Sequence, residues 1–337
     1  MTLHVVGLPH TRLTDEFSWC AYTTKVARFA EMMVDGAGME VITYGNGPAE
    51  LPGKYVMVTD AQVDEHYIPD FSEEHPLFSA FNTKAIALIY EHLEPGDVLC
   101  LIGGISQSPI AHAIPSIPAV EFGIGYEGVF AQYRVWESYT WQSYVLGMNR
   151  WYGSEYDTVI YNYFDPGEFR IGARGDYVAF LGRVCWVKGV DIAVTAARAA
   201  GVPLKIAGHI FPDCEWVREL EGDIEYVGEL EPAGRAELLA GARALIAPTR
   251  YVEPFGGVQV EAMLSGIPVI GPDYGAFTEF IEHTYNGWRC RSLADYVRWI
   301  AADAHVGPEE IRAQAEDRFS MWNIADHYAT YFDRVAE

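Results

Sequence analysis

Short apolar runs rich in valine and isoleucine recur along the chain, separated by longer stretches in which apolar residues return at helical spacing. In the first half the runs are LHVVGL, EVITYG, KYVMVT, DVLCLIG and IPAVEF, and in the second DYVAFLG, PLKIAG, IEYVG, ARALIAP and IPVIGP. Such runs predict strands covered on both faces, as in a parallel sheet. Between them CAYTTKVARFAEMMVDG, DIAVTAARAAG and PAGRAELLAGA read as helices, most of them closed by a glycine. Strand, helix and strand at this spacing predict an α/β protein of two doubly wound domains.

The seam between them is expected near YNYFDPGEFRIGARGDY, where Pro166, Gly167, Gly172 and Gly175 interrupt any periodic pattern. The expected division is therefore 1–165, 166–315 and a closing segment, 316–337. The stretch EEIRAQAEDRFSMWNIADHYATYFDRVA reads as one long helical pattern, with Phe319, Trp322, Ile324, Tyr328 and Phe332 as core positions. No low-complexity segment or short repeat is visible.

At 337 residues, half of them apolar, the chain is long enough for two cores. Its longest apolar runs, such as VLCLI, fall short of the ~18 residues of a bilayer span. MTLHVVGLPH reads as a first strand without a basic leader, so a cytoplasmic protein is expected. Cys20, Cys100, Cys185, Cys214 and Cys290 are scattered, with no C-x-x-C pair, which points to reduced thiols and away from zinc. The formal net charge of −24 argues against nucleic-acid binding and electrostatic membrane docking. Any phosphate-bearing ligand has to meet a local exception to that charge.

Two motifs suggest other chemistry. Gly123, Gly125 and Gly128 spell G-x-G-x-x-G after IPAVEF, as in a dinucleotide loop, but AQYRVWESYTWQSYVLGMNRWYG follows, with no short strand ending in a ribose-binding acid. The expected role is a loop at the carboxyl end of a strand. Gly104, Ser106 and Ser108 nearly form the nucleophile elbow of an α/β-hydrolase, but the final glycine is missing, and Pro115 and Pro118 cut short the helix that should follow. An esterase using Ser106 is kept as an alternative. No D-x-D occurs to hold a metal against a diphosphate, so cations and helix N-termini would have to neutralise one.

The second half supplies both. In VAFLGRVCWVKGVDIAV a strand ends at Gly182, and Arg183 and Lys188 follow before a helix. Arginine clamps a phosphate bidentately and lysine meets it as a point charge. In APTRYVEPFGGVQVEAMLSGIPVIG, Gly256 and Gly257 open a helix whose bare N–H groups and dipole suit an anion. Glu253 precedes that turn and Glu261 lies about one turn inside, which aims two carboxylates at one small volume. A carboxylate accepts from both hydroxyls of a ribose or sugar diol.

These residues resemble the retaining glycosyltransferases of family four, which have the GT-B architecture of two Rossmann-like domains facing across a cleft. The resemblance rests on YNYFDPGEF, FLGRVCWVKG, LKIAGH, IEYVGEL, AELLAGARALIAPTRYVEPFGGVQVEAM and GIPVIGPDYGAFTEFIEHTYNGW, with the E-x7-E pair Glu253 and Glu261 the most diagnostic. Its nearest point is an antibiotic-pathway enzyme of the orthosomycin (avilamycin) type. The resemblance implies a nucleotide-sugar donor, expected to be UDP-linked, with no resident cofactor or metal, and an acceptor that is a small molecule or glycan. Arg183 and Lys188 would hold the diphosphate, with backbone at Gly256, Gly257 and Val258. Glu261 would take the ribose, Glu253 the transferred sugar, and backbone at Val227 and Gly228 the nucleobase; Gly208 and Phe255 would complete the donor site. In the first half the resemblance is weaker: one glycine, Gly7, stands where relatives carry two, and EFGIGYEG stands where many place a histidine. His10, Glu121, Gly123, Gly125, Tyr126 and Glu127 are the candidates there for sugar or acceptor contacts. The resemblance implies a last helix that packs back on the first domain. A sugar-nucleotide epimerase of the same fold is the remaining alternative, and the oligomeric state is open.

Overall fold

The computed structural model describes residues 1–63, 69–302 and 307–336. They form two compact units, one of residues 1–137, 142–164 and the C-terminal stretch from Met321, the other of residues 138–141 and 165–320. The first holds strands β1 (Thr2–Val6), β2 (Glu40–Asn46), β3 (Lys54–Thr59), β4 (Val98–Leu101), β5 (Ala119–Ile124), β6 (Tyr133–Trp136) and β7 (Asp157–Val159). Its helices are α1 (Ala21–Glu31), α2 (Pro76–Tyr90), α3 (Ser108–Ala113) and most of α4 (Tyr139–Asn149). The second holds β8 (Val178–Leu181), β9 (Leu204–Ala207), β10 (Ile224–Gly228), β11 (Ala244–Ile246), β12 (Val269–Pro272) and β13 (Gly287–Cys290). Its helices are α5 (Val190–Ala200), α6 (Pro232–Ala240), α7 (Gly257–Leu264), α8 (Phe277–Phe280), α9 (Leu293–Ala302) and α10 (Pro308–Phe319), and α11 (Met321–Ala336) belongs to the first unit.

Both sheets are parallel throughout, in the orders β3-β2-β1-β4-β5-β6-β7 and β10-β9-β8-β11-β12-β13. The chain lays strands outward from β8 and then returns to β8's other side as β11. Such a reversal of strand order is where open α/β sheets bind ligands, at the carboxyl ends of the strands. The doubly wound α/β fold expected from the apolar runs is therefore present twice.

In the first unit Phe29 of α1 stacks on Phe122 of β5 at 4.2 Å between ring centroids, and Tyr328 and Phe332 of α11 meet Phe29 edge-on. In the second, the alanine-rich α5 presents Ala193, Val194, Ala196 and Ala197 to a sheet face that carries Val178, Phe180 and Ile206. The final segment is two helices rather than one. Ser320 adopts an extended conformation (ψ 130°), and the N–H of Met321 donates to the carbonyl of Phe164. Trp322, expected in the core, is instead 43 % exposed.

A short strand, β6, does lie in AQYRVWESYTWQSYVLGMNRWYG, where no short strand ending in a ribose-binding acid was expected, and the acid after it, Glu137, is paired with Lys25. The strand follows β5 without an intervening helix, so the glycine triplet has no helix N-terminus to offer a pyrophosphate.

Candidate active site

The loop after β8 contains a single 3-10 turn, Trp186–Lys188, which ends at Gly189 in the left-handed region (φ 74°). A Cβ at Gly189 would collide with the carbonyl oxygen of Pro248, so glycine is what lets this loop meet the one after β11. Arg250 then fastens the two together. Its N–H donates to the Val187 carbonyl (2.8 Å), and its guanidinium donates to the Trp186 carbonyl (2.6 Å) and to both carboxylate oxygens of Asp191 (2.7 and 2.6 Å).

This joint brings Lys188 to Glu253. The ammonium donates to Glu253 Oε2 at 2.5 Å and to the Tyr251 hydroxyl at 2.8 Å, and Tyr251 in turn donates to Glu253 Oε1 at 2.8 Å. Glu253 is 7 % exposed, and its backbone is tied down by the N–H of Ala276 at 3.2 Å. Burial drives the Tyr251 phenol well above its usual range; the Glu253 carboxylate adds to this and Arg183 opposes it. Tyr251 is therefore a neutral hydroxyl at any working pH. The exposed Arg183 places its guanidinium carbon 6.0 Å from the centre of the Phe211 ring.

Gly256, at φ 75°, caps α7 and Gly257 is its first residue, so the first-turn N–H groups open without a Cβ over them. One turn in, Glu261 carries a buried Oε2 with no hydrogen-bond partner among the described residues. Gly182, Gly208 and Gly228 end three neighbouring strands with φ of 130°, 131° and 89°. Gly182 donates to the carbonyl of Ala207 and Gly208 to that of Gly228, which sets these strand ends, with Val227, side by side. Phe255 requires a correction as a ligand contact: its side chain is 3 % exposed and packs on Phe280 and Phe319 in the interior. Its position is set by the apolar core beneath α7.

The first unit corrects more. Glu121 is fully buried and turns inward, where Oε2 accepts from the N–H groups of Phe130 and Ala131 (2.9 and 2.7 Å) and Oε1 from the Tyr126 hydroxyl (3.2 Å). Both Glu121 and the Tyr126 hydroxyl thus fold their own loop and do not face a ligand. Glu127 of the same loop is exposed. His10 is 1 % exposed, with Nε2 3.6 Å from Cys20 Sγ and its ring edge-on to Phe71, and burial lowers it to about 4. It is an interior neutral imidazole. Gly123 (φ 57°) has its carbonyl bonded by Lys25, and a Cβ on Gly125 would overlap the Glu137 carboxylate. The triplet's first two glycines thus make room for a buried ion pair, Lys25 with Glu137, to which Asn162 also donates at 2.6 Å. Ser106 is fully buried and donates to the Gly103 carbonyl at 2.6 Å, so it is not the exposed nucleophile an esterase needs.

Burial raises the Glu121 carboxyl to about 7, against the hydrogen bonds from Ala131, Phe130 and Tyr126. A carboxyl raised on folding contributes stability that is fully present below about 4.5 and lost as pH rises through about 7. Glu121→Gln does not titrate, so it should gain about 3 kcal/mol on wild type between pH 4.5 and 8. Urea melts at the two pH values check this; parallel profiles for both proteins would contradict it.

The sequence reading missed Tyr251 and the Lys25–Glu137–Asn162 cluster. Tyr251 had a signal, since it stands only two residues before Glu253 in the same loop. The cluster had none, because its members lie 112 and 25 residues apart.

No group of three or more His, Cys, Asp or Glu side chains able to hold a metal ion occurs among the described residues. None of their helices is long and apolar enough to cross a membrane. All five cysteines are free and buried.

Residues 175–303 match the family described as Glycosyl transferases group 1. An uncharacterized glycosyltransferase of Methanocaldococcus jannaschii, MJ1607, is 28% identical over 167 residues, 42% of this chain and 43% of that protein, so the match spans under half of the relative's length. Among solved structures, AviGT4, a glycosyltransferase involved in avilamycin A biosynthesis, aligns over 100% of this chain and 98% of its own with a TM-score of 0.74 and 20% identity. HepE of Anabaena in complex with UDP-glucose aligns over 99% of this chain and 100% of its own, at 0.74 and 17%. At such identities the likeness is one of fold, and it extends over both units. The chain thus has the paired Rossmann-like fold of the GT-B glycosyltransferases, and most of its second unit is similar to the group 1 glycosyl transferases.

Proposed function

We propose that this protein transfers a sugar from a nucleoside diphosphate carrier, UDP-linked by preference, to a hydroxyl of a small molecule or glycan, with retention at the anomeric carbon and without a metal. The observation that carries the reading is the chemistry of the two loops after the neighbouring strands β8 and β11. They carry a lysine ammonium with a carboxylate beside it, a helix start capped by glycine and, one turn into that helix, an unpaired buried carboxylate oxygen. This set matches a sugar nucleotide group by group: cations and N–H groups for the diphosphate, Glu261 for the ribose diol, Glu253 for the sugar hydroxyls.

Arg183 and Lys188 stabilise charge that builds on the departing diphosphate. The bond from the anomeric carbon to the phosphate oxygen breaks as the bond to the acceptor oxygen forms on the same face. The acceptor's proton passes to the leaving phosphate oxygen, so no covalent sugar–enzyme intermediate is required. Glu127 remains a candidate acceptor contact.

Calorimetry with UDP, GDP and their sugars, followed by an assay for nucleoside diphosphate release, tests the reading. Binding near micromolar and release that depends on an acceptor alcohol are expected; no binding at millimolar nucleotide would overturn it. Acceptor-independent turnover with recovery of an isomerised sugar nucleotide would instead support the epimerase. With EDTA in excess, transfer should continue at its full rate, and its abolition would refute the metal-free mechanism.

A further inference from the structure

Lys188, Glu253 and Tyr251 form a closed triangle of hydrogen bonds with edges of 2.5, 2.8 and 2.8 Å. The ammonium has three protons and the triangle engages two of them. Glu253, buried at 7 % exposure, has one oxygen on Lys188 and the other on Tyr251. If an arriving diphosphate draws the ammonium toward its own oxygens, Oε2 loses its partner. A buried carboxylate released in this way would swing or take a proton, because an unpaired buried charge is costly. The Tyr251 hydroxyl prevents this, since its bond to Oε1 does not depend on Lys188. Its ring lies 5.0 Å from the Lys188 ammonium and supports the cation over its π-face.

We infer that Tyr251 is a positioning residue: its hydroxyl holds Glu253 oriented toward the sugar hydroxyls while Lys188 serves the diphosphate. The inference rests on the donor-site reading above. Tyr251 touches neither reacting atom. It acts through Glu253, and so its effect belongs to the sugar half of the donor and to turnover, not to the nucleotide half.

Tyr251→Phe keeps the ring beneath the Lys188 ammonium and removes the hydroxyl with its bonds to Glu253 and Lys188, which separates positioning from packing. Calorimetry on the full chain should give UDP and GDP dissociation constants within about threefold of wild type, while the added affinity of the matching sugar nucleotide and kcat each fall by about tenfold or more. Urea melts of Tyr251→Phe, Glu253→Gln and the double variant should be non-additive, because the two side chains share one bond. Unchanged kcat, an equal loss for bare nucleotide and sugar nucleotide, or additive melts would each overturn the role. If wild type binds no nucleotide at all, the donor-site reading falls and takes this role with it. If wild type binds normally and the variant behaves identically, only the role of Tyr251 falls.

Discussion

Lys188→Ala should reduce turnover by on the order of a hundredfold or more while the protein stays folded, because under the proposed function the loss removes a point charge from the diphosphate site. The structure adds a complication that the sequence did not show. Lys188 also neutralises Glu253, and side-chain exposures of 19% and 10% make this a largely desolvated pair. Removing one partner of a fully buried pair costs about 3–5 kcal/mol, and less is expected here because Lys188 keeps some contact with water. A fall in rate could therefore reflect partial unfolding. Lys188→Ala combined with Glu253→Gln removes both charges and should recover most of the lost stability without recovering activity. Rates measured at a temperature where circular dichroism shows both variants folded make the comparison. Activity in Lys188→Ala near that of wild type would remove Lys188 from the diphosphate site.

Gly189→Ala should be among the most damaging single substitutions in the second unit. The residue sits at φ 74°, and its new methyl group would fall on the carbonyl oxygen of Pro248. Neither is a flexible group that can turn aside, since both belong to backbone held by the Arg250 clamp. Left-handed strain alone costs about 1–2 kcal/mol, and the clash forces the two loops apart in addition. The expected result is a loss of about 3 kcal/mol or more in chemical denaturation, together with failure to bind nucleotide even where the protein remains folded. Gly201→Ala is the control, because Gly201 has a similar φ of 67° and open space around it. It should show the strain without the clash and leave nucleotide binding intact. Equal effects from the two variants would mean that the joint between the loops does not build the site.

The inner strands were legible because parallel strands covered on both faces are written as unbroken apolar runs, as in VAFL of β8 and VLCL of β4. Strands β6, β7 and β13 were not, being three or four residues long and mixed in polarity, with β7 and β13 at the ends of their sheets. In the candidate site, Gly256 and Gly257 at a helix start and the cations after β8 could be found because backbone chemistry and charge are properties of the residue type. The direction in which Glu121 and Phe255 point could not be found that way. Both stand beside glycine-rich loops in positions that look open to ligands, and both are drawn inside, Glu121 by two backbone N–H groups that need an acceptor and Phe255 by the rings of Phe280 and Phe319.

The sequence by itself determined that the chain alternates strands and helices in two α/β halves, that its charge repels phosphate except at a few loops, and that glycines stand where backbone must bend or come close. Those properties are local, set by side-chain periodicity, ionisation and the absence of a Cβ. Only the tertiary structure decided which charges meet. Lys188 and Glu253 are 65 residues apart and touch because β8 and β11 are neighbours in the sheet, and Lys25 reaches Glu137 across 112 residues because α1 packs beside β5. Strand order and burial fix such meetings, and no window of sequence contains either.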